Sequence, residues 1–182
     1  MGTSAARKET GVVACLGSSS TAAKGPYDWI GDLQKRPENQ GLEFLRFAEG
    51  GDLAYNGLQR VPKVISCHPD FVVILLGGND VMASMSRQSE YYEVMLKLTK
   101  RLPRKPSPEW FYEVMDEVVD RLKDGTSARI AVCSLPPWGE NLESEDPFQG
   151  ELNSKFAEYN DILKEISTKQ TVGYIPFYEK MV

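Results

Sequence analysis

Val12-Val13-Ala14-Cys15-Leu16-Gly17-Ser18-Ser19-Ser20-Thr21 is the stretch on which the fold turns. An unbroken apolar run of this length suits a central parallel strand covered on both faces. The Gly-Ser-Ser-Ser-Thr tract then falls where that strand ends and a helix-like stretch follows. In an open α/β sheet the carboxyl end of such a strand opens onto the ligand crevice. Two later segments repeat the placement. Glu49-Gly50-Gly51-Asp52 follows the second strand, and Leu76-Gly77-Gly78-Asn79-Asp80 follows Phe71-Val72-Val73-Ile74-Leu75. Serine, glycine and asparagine at three neighbouring crevice positions can make a nucleophile and two oxyanion donors.

Working outward, Pro26 to Lys35 reads as a helix with Pro26 near its first turn and Trp29, Ile30 and Leu33 on one face. Leu42 to Ala48 is a second strand. Leu53 to Val61 is a short helix, stopped by Pro62. Pro69-Asp70 launches the third strand, Phe71 to Leu76. Residues 81 to 128 hold two helical patterns. Tyr91, Met95 and Leu98 mark one. Ser107-Pro108-Glu109 opens the other, with serine as N-cap and proline at the first helical position. Its stripe is Phe111, Met115, Val118, Val119 and Leu122. Arg129 to Leu135 is the fourth strand, and Pro136-Pro137-Trp138-Gly139 opens a polar loop. Leu152, Phe156, Tyr159, Leu163 and Ile166 recur at helical spacing. Val172 to Pro176 is the fifth strand, after which another helix begins. Strands alternating with helices imply parallel pairing and right-handed crossovers. The expected fold class is α/β, a three-layer α/β/α sandwich on a five-stranded parallel sheet. Residues 1–10 read as a polar tail and 11–182 as one domain, without repeat or linker.

Composition narrows the function. The 182 residues are 41% hydrophobic and 26% charged, as in a globular protein. A net charge of −5 speaks against a nucleic-acid partner. The cysteines, Cys15, Cys67 and Cys133, show no zinc spacing, and two fall in core strands. They suit free thiols in a reducing compartment. The polar first ten residues lack the apolar core of a signal peptide, and Ala6 stands where a myristoylation motif wants Ser or Thr. No run approaches membrane-spanning length. The expectation is a cytoplasmic protein with no metal, no cofactor and no integral membrane segment; its oligomeric state is left open.

The three blocks together carry more than any one alone. A Gly-Ser-Ser-Ser tract also suits a turn or helix N-cap, and Gly-Gly-Asn-Asp suits a tight turn. Their order and strand-end placement resemble the SGNH hydrolases, the GDSL esterase/lipase family. That family's first block, Gly-Asp-Ser-(Leu/Ile)-Thr, is matched by Gly17-Ser18-Ser19-Ser20-Thr21. The second, Gly-Asp-x-x-x-x-Gly-Leu-x-Arg-Leu, is matched by Gly51-Asp52-Leu53-Ala54-Tyr55-Asn56-Gly57-Leu58-Gln59-Arg60-Val61. The third, Gly-x-Asn-Asp, is matched by Gly77-Gly78-Asn79-Asp80. The resemblance implies a flavodoxin-like topology. It also implies Ser19 as nucleophile and oxyanion N–H, Gly51 as oxyanion N–H and Asn79 as oxyanion amide.

Two departures stand out. Ser18 replaces the family's usual aspartate, which is not the nucleophile. The family's last block, Asp-x-x-His, which supplies the general base and its orienting acid, has no counterpart before Val182. The only histidine, His68, precedes the third strand and belongs at the wrong end of the sheet. A strand of about five residues spans roughly 17 Å, whereas a base works within about 3 Å or through one water. The expectation is therefore a serine esterase or lipase domain, C-terminally truncated before its catalytic histidine and weakly active by itself. The alternative is a non-catalytic binding or scaffold protein on the same fold. A phosphate-cradling flavodoxin-like module is a third reading, against which the Gly51 and Asn79 blocks count. Among weaker features, Lys97, Lys100, Arg101, Arg104 and Lys105 read as a solvated basic run or a patch for acidic groups. Trp138 reads as loop packing or a pocket wall, and Asp80 as a brace for its loop.

Overall fold

Five parallel strands form one sheet in the order β2-β1-β3-β4-β5: β1 Gly11–Gly17, β2 Leu42–Ala48, β3 Phe71–Leu75, β4 Arg129–Cys133 and β5 Gly173–Ile175. The computed structural model describes residues 10–25, 27–85, 96, 98–139 and 144–182. Helices α1 (Trp29–Lys35), α2 (Ala54–Ser66), α3 (Gly78–Ser84), α4 (Pro108–Gly125), α5 (Pro147–Gln170) and α6 (Phe177–Met181) connect or follow the strands. Helices lie on both faces of the sheet, as the alternating pattern predicted.

The strand pleat divides the core. Ala14 and Leu16 of β1, Val72 and Ile74 of β3, and Ile130 and Val132 of β4 face one side, where α2, α3, α4 and α5 pack. Val13 and Cys15 face the other, where Ile30 of α1 closes a smaller cluster with partly buried Phe44, Phe71 and Val73. The long helices form where caps and stripe agree. Ser107 Oγ accepts from Trp110 N at 3.2 Å, Pro108 follows it, and Trp110, Phe111, Val114, Met115, Val118, Val119 and Leu122 are buried along α4. Asp146 caps α5 through Phe148 N at 3.0 Å, and Thr171 ends it at φ 57°. Phe111 of α4 and Tyr159 of α5 then meet with ring centroids 4.7 Å apart.

Several boundaries differ from the sequence reading. Pro62 does not stop α2; it sits on the exposed face while the helix continues to Ser66. Val61 and Val64 are fully buried on either side of it. Their burial against the α4 side of the core outweighs the roughly 3 kcal/mol that an interior proline costs. Helix α1 begins at Trp29, because the Asp28 carboxylate accepts from Gly31 N at 2.9 Å and caps it there. Pro26 lies outside the described residues, as do residues 1–9 and the Tyr91 and Met95 of the intermediate pattern. Strands β3, β4 and β5 are each shorter than expected. The Gly-Gly-Asn-Asp block opens helix α3 after Gly77 at φ 129°, a helix that the sequence reading did not place there. A Cβ at Gly77 would stand 2.9 Å from Phe111 Cζ, so both backbone angle and space call for glycine.

Candidate active site

Register brings the three blocks together. Gly17, the last residue of β1, is paired with Ala48, the last of β2, and with Leu75, the last of β3. The segments carrying Ser19, Gly51 and Asn79, two loops and the first turn of α3, therefore leave three adjacent strands at one level of one rim. Adjacent strands lie about 4.8 Å apart, so the segments are near neighbours.

The Ser19 loop is a compact turn. Ser18 O accepts from Thr21 N at 3.2 Å and Ala22 N at 2.9 Å, and Ser19 O accepts from Lys24 N at 3.1 Å. Arg46 of β2 fastens it from outside, donating to Thr21 O at 3.0 Å and to Asp28 Oδ1 at 2.7 Å. Thr21 is fully buried beneath the turn. Only glycine fits at position 17, since a Cβ there would stand 2.0 Å from Thr21 Oγ1. Ser19 itself is partly exposed.

The Gly51 loop is tied to the Asn79 block at two points. Asn79 Nδ2 donates to Asp52 O at 2.8 Å. Both carboxylate oxygens of Asp80 accept from Ala54 N, at 3.2 and 3.0 Å, and so cap the start of α2. The brace expected of Asp80 is thus present. Its carboxyl is fully enclosed, and that burial pushes its pKa up to about 7 against the smaller lowering by the Ala54 N–H. Gly51 is exposed at φ 74°, with its N–H taken by no acceptor among the described residues.

Sequence reasoning missed the third support of this loop. Lys100 Nζ donates to Gly50 O at 2.8 Å and to Asp52 Oδ1 at 2.9 Å. Asp52, only 4% exposed at its side chain, also pairs with Arg60. Lys100 is therefore no part of a solvated run. Arg104 is spent on Glu113 and on the face of Trp110, 5.2 Å from the ring centroid, and Lys97 lies outside the described residues. A cleft of about 540 Å³ on the flank of the loop is walled by Arg60, Lys63, Lys100 and Arg101 with Glu49 and Asp52. On the far side of Asn79, Trp138 is 48% exposed and stacks on Phe156 with centroids 6.4 Å apart. Asn153 holds the Trp138 backbone by both its N–H, at 2.7 Å, and its C=O, at 3.1 Å.

His68 is where the sequence placed it. It ends α2 at φ 49° beside Asp70, whose backbone N donates to Val12 O at 2.9 Å and whose carboxylate accepts from Val12 N at 2.8 Å. These bonds anchor that corner at the start of β1, roughly 17 Å from the Gly17 end at about 3.3 Å per residue. His68 lines a hollow with Asp124, Gly125 and Thr126 at the opposite rim.

A family model described as GDSL-like lipase/acylhydrolase matches residues 15–182. The chain belongs to that family. No curated protein matches the sequence itself. Solved structures share the fold of this GDSL-like chain at low identity. The acetyl xylan esterase AlAXEase aligns with a TM-score of 0.70 and 20% identity, over 93% of this chain and 79% of that one. A lipase/acylhydrolase from Enterococcus faecalis gives 0.65 and 20%, over 93% and 77%. TesA gives 0.62 and 19%, over 90% and 76%. The five-stranded parallel sheet is that of the SGNH hydrolases. Among the described residues no group of histidine, cysteine and carboxylate side chains is placed to hold a metal, and no helix is long and apolar enough to cross a membrane.

Proposed function

We propose that this GDSL-like protein is a carboxylic-ester hydrolase that works through an acyl-enzyme on Ser19. The observation that carries the reading is the row Gly17–Ala48–Leu75, which sends the Ser19, Gly51 and Asn79 segments out of one rim side by side. Ser19 Oγ attacks the ester carbonyl, and the oxygen that becomes negative is received by the N–H groups of Ser19 and Gly51 and by Asn79 Nδ2. An amide nitrogen carries two hydrogens. Asn79 spends one on Asp52 O, which leaves the second for the oxyanion. The alcohol leaves, Ser19 holds the acyl group, and water releases it in a second addition at the same carbon.

The Ser19 proton needs an acceptor, since a neutral serine is a weak nucleophile. His68 at the opposite rim does not supply it. The reading needs a base of the Asp-x-x-His kind that the family resemblance implies. The substrate is a small-molecule ester, no metal or cofactor takes part, and free Cys15, Cys67 and Cys133 fit a cytoplasmic setting. The distant His68 also favours a second reading, a non-catalytic binding protein on the same scaffold.

The test compares p-nitrophenyl acetate hydrolysis by the 182 residues with that by the longest native form of the chain. The longer form should be faster by orders of magnitude, because loss of a triad member removes most of the acceleration. Ser19→Ala should abolish the gain, and Asn79→Ala should cost about 10²–10³-fold in kcat. An ordinary esterase rate from the 182 residues would mean another base. No hydrolysis by any native form, with a ligand still bound at the rim, would favour the binding protein.

A further inference from the structure

Gly51 N–H and Gly50 C=O belong to one planar peptide unit, and in a trans peptide they point in opposite directions. A contact that fixes the carbonyl therefore aims the N–H. Lys100 makes that contact, donating to Gly50 O at 2.8 Å. Its ammonium also reaches Asp52 Oδ1 at 2.9 Å, and its stem lies against Gly51, 3.3 Å from where a Cβ would stand. The lysine is itself anchored to α2. Asn56 Nδ2 donates to Lys100 O at 2.9 Å, while Asn56 Oδ1 accepts from Leu53 N at 3.1 Å.

The unit needs such a lock. It joins two glycines, and without a Cβ on either side rotation of the peptide meets little steric resistance. The one local turn bond, Asp52 N to Glu49 O, is 3.3 Å long and spans the glycines without engaging their shared peptide. A flip would turn the Gly50 carbonyl toward the place where the oxyanion forms and carry the Gly51 N–H away. We propose that Lys100 is a positioning residue that holds the Gly50–Gly51 peptide in the orientation that presents the Gly51 N–H to the substrate oxygen. The proposal rests on the ester-hydrolase reading for its chemical consequence. The peptide orientation itself is measurable without turnover.

The experiment uses Lys100→Met, Lys100→Arg and the double variant Asp52→Asn/Lys100→Met in the longest native form of the chain. Each is followed by kcat and KM on p-nitrophenyl acetate and by the Gly51 amide resonance in a ¹H–¹⁵N correlation spectrum. Lys100→Met should lower kcat by about 10²-fold, the scale of losing one oxyanion donor, with KM changed by less than about threefold. Its Gly51 resonance should split or broaden. Lys100→Arg, which restores a cationic donor to the carbonyl, should recover part of kcat and a single resonance. The double variant should stay slow, because Asp52 no longer needs a countercharge yet the peptide remains unheld. Wild-type kcat in Lys100→Met with one unshifted Gly51 resonance would overturn the proposal. So would recovery of kcat in the double variant, which would make Lys100 a neutralising partner for Asp52. If no native form hydrolyses esters, the ester reading fails, and the Gly51 resonance alone decides the lock.

Discussion

Replacing Asp80 by asparagine is expected to flatten the dependence of folding stability on pH. The Asp80 carboxyl is fully enclosed and is pushed up to about 7 by burial, against about 3.9 for a solvated aspartate. Between those values the folded chain keeps a proton that the unfolded chain has released. Stability contributed by Asp80 is then greatest at low pH and falls as pH rises, by about 1.4 kcal/mol per unit, until it levels off above about pH 7. Over the interval from about pH 5 to pH 7 the loss is on the order of 2–3 kcal/mol. The bonds that both carboxylate oxygens accept from Ala54 N are already part of that pKa, since they oppose the larger effect of burial. Asparagine keeps one acceptor for that N–H and carries no titrating proton. Its buried amide hydrogens cost about 1–3 kcal/mol when unpaired, a penalty that does not change with pH. Urea unfolding of both proteins at pH 5, 6, 7 and 8 isolates the effect, since every group the two proteins share cancels in the difference. The wild-type advantage should shrink steadily from pH 5 to pH 7 and then stay constant. A difference constant to within about 0.5 kcal/mol across the range, well under the shift expected from linkage, would refute the reasoning.

Other outcomes follow from the geometry. His68→Ala should leave esterase activity of the longest native form within about twofold, since a base must lie within hydrogen-bond reach of its proton; a loss of tenfold or more would move the base to the opposite rim. Gly17→Ala places a Cβ 2.0 Å from Thr21 Oγ1 and 3.0 Å from Leu75 O. It should destabilise the fold by about 1–3 kcal/mol, and an unchanged melting temperature would show that the Ser19 turn shifts freely. Burial pushes the Cys15 and Cys133 thiols up to about 12. A thiol-specific disulfide reagent should therefore modify only partly exposed Cys67 in the native protein and all three cysteines in urea, and fast native modification of all three would contradict the burial.

What could be read from the sequence was what is encoded locally. The Val12–Leu16 run, the strand-end glycines and the Ser107-Pro108 helix start each announce themselves within a few residues, and the fold class followed from their alternation. The strand-end placement of Ser19, Gly51 and Asn79 was legible for the same reason, since their common level depends only on parallel pairing in register. Pro62 misled because its local cost is real, and the burial of Val61 and Val64 that offsets it comes from tertiary packing. Helix α3 was missed because Gly, Asn and Asp favour turns. Its formation depends on Asp80 capping α2 and on Val81 and Ala83 being buried. Lys100 looked like one cation in a basic stretch; its acceptors, Gly50 O and Asp52 Oδ1, are 50 and 48 positions away, beyond the reach of any local pattern.

That distance bears on how the site is built. The Gly50-Gly51-Asp52 segment is held chiefly by side chains from elsewhere: Asn79 on Asp52 O, Arg60 and Lys100 on the Asp52 carboxylate, and Lys100 on Gly50 O. Two glycines make the backbone free to adopt φ 74°, and the same freedom leaves it without a preferred orientation of its own. The cost of ordering it falls on residues that need never touch a substrate. On the ester-hydrolase proposal Asn79 is the exception, with one amide hydrogen on Asp52 O and the second for the oxyanion, so its loss would remove a donor and loosen the loop beside it. Effects of substitutions at Asn79 and Lys100 should therefore be non-additive, as for residues that share one network. A kinetic deficit at either position measures how well the Gly51 peptide stays aimed as much as it measures a lost contact.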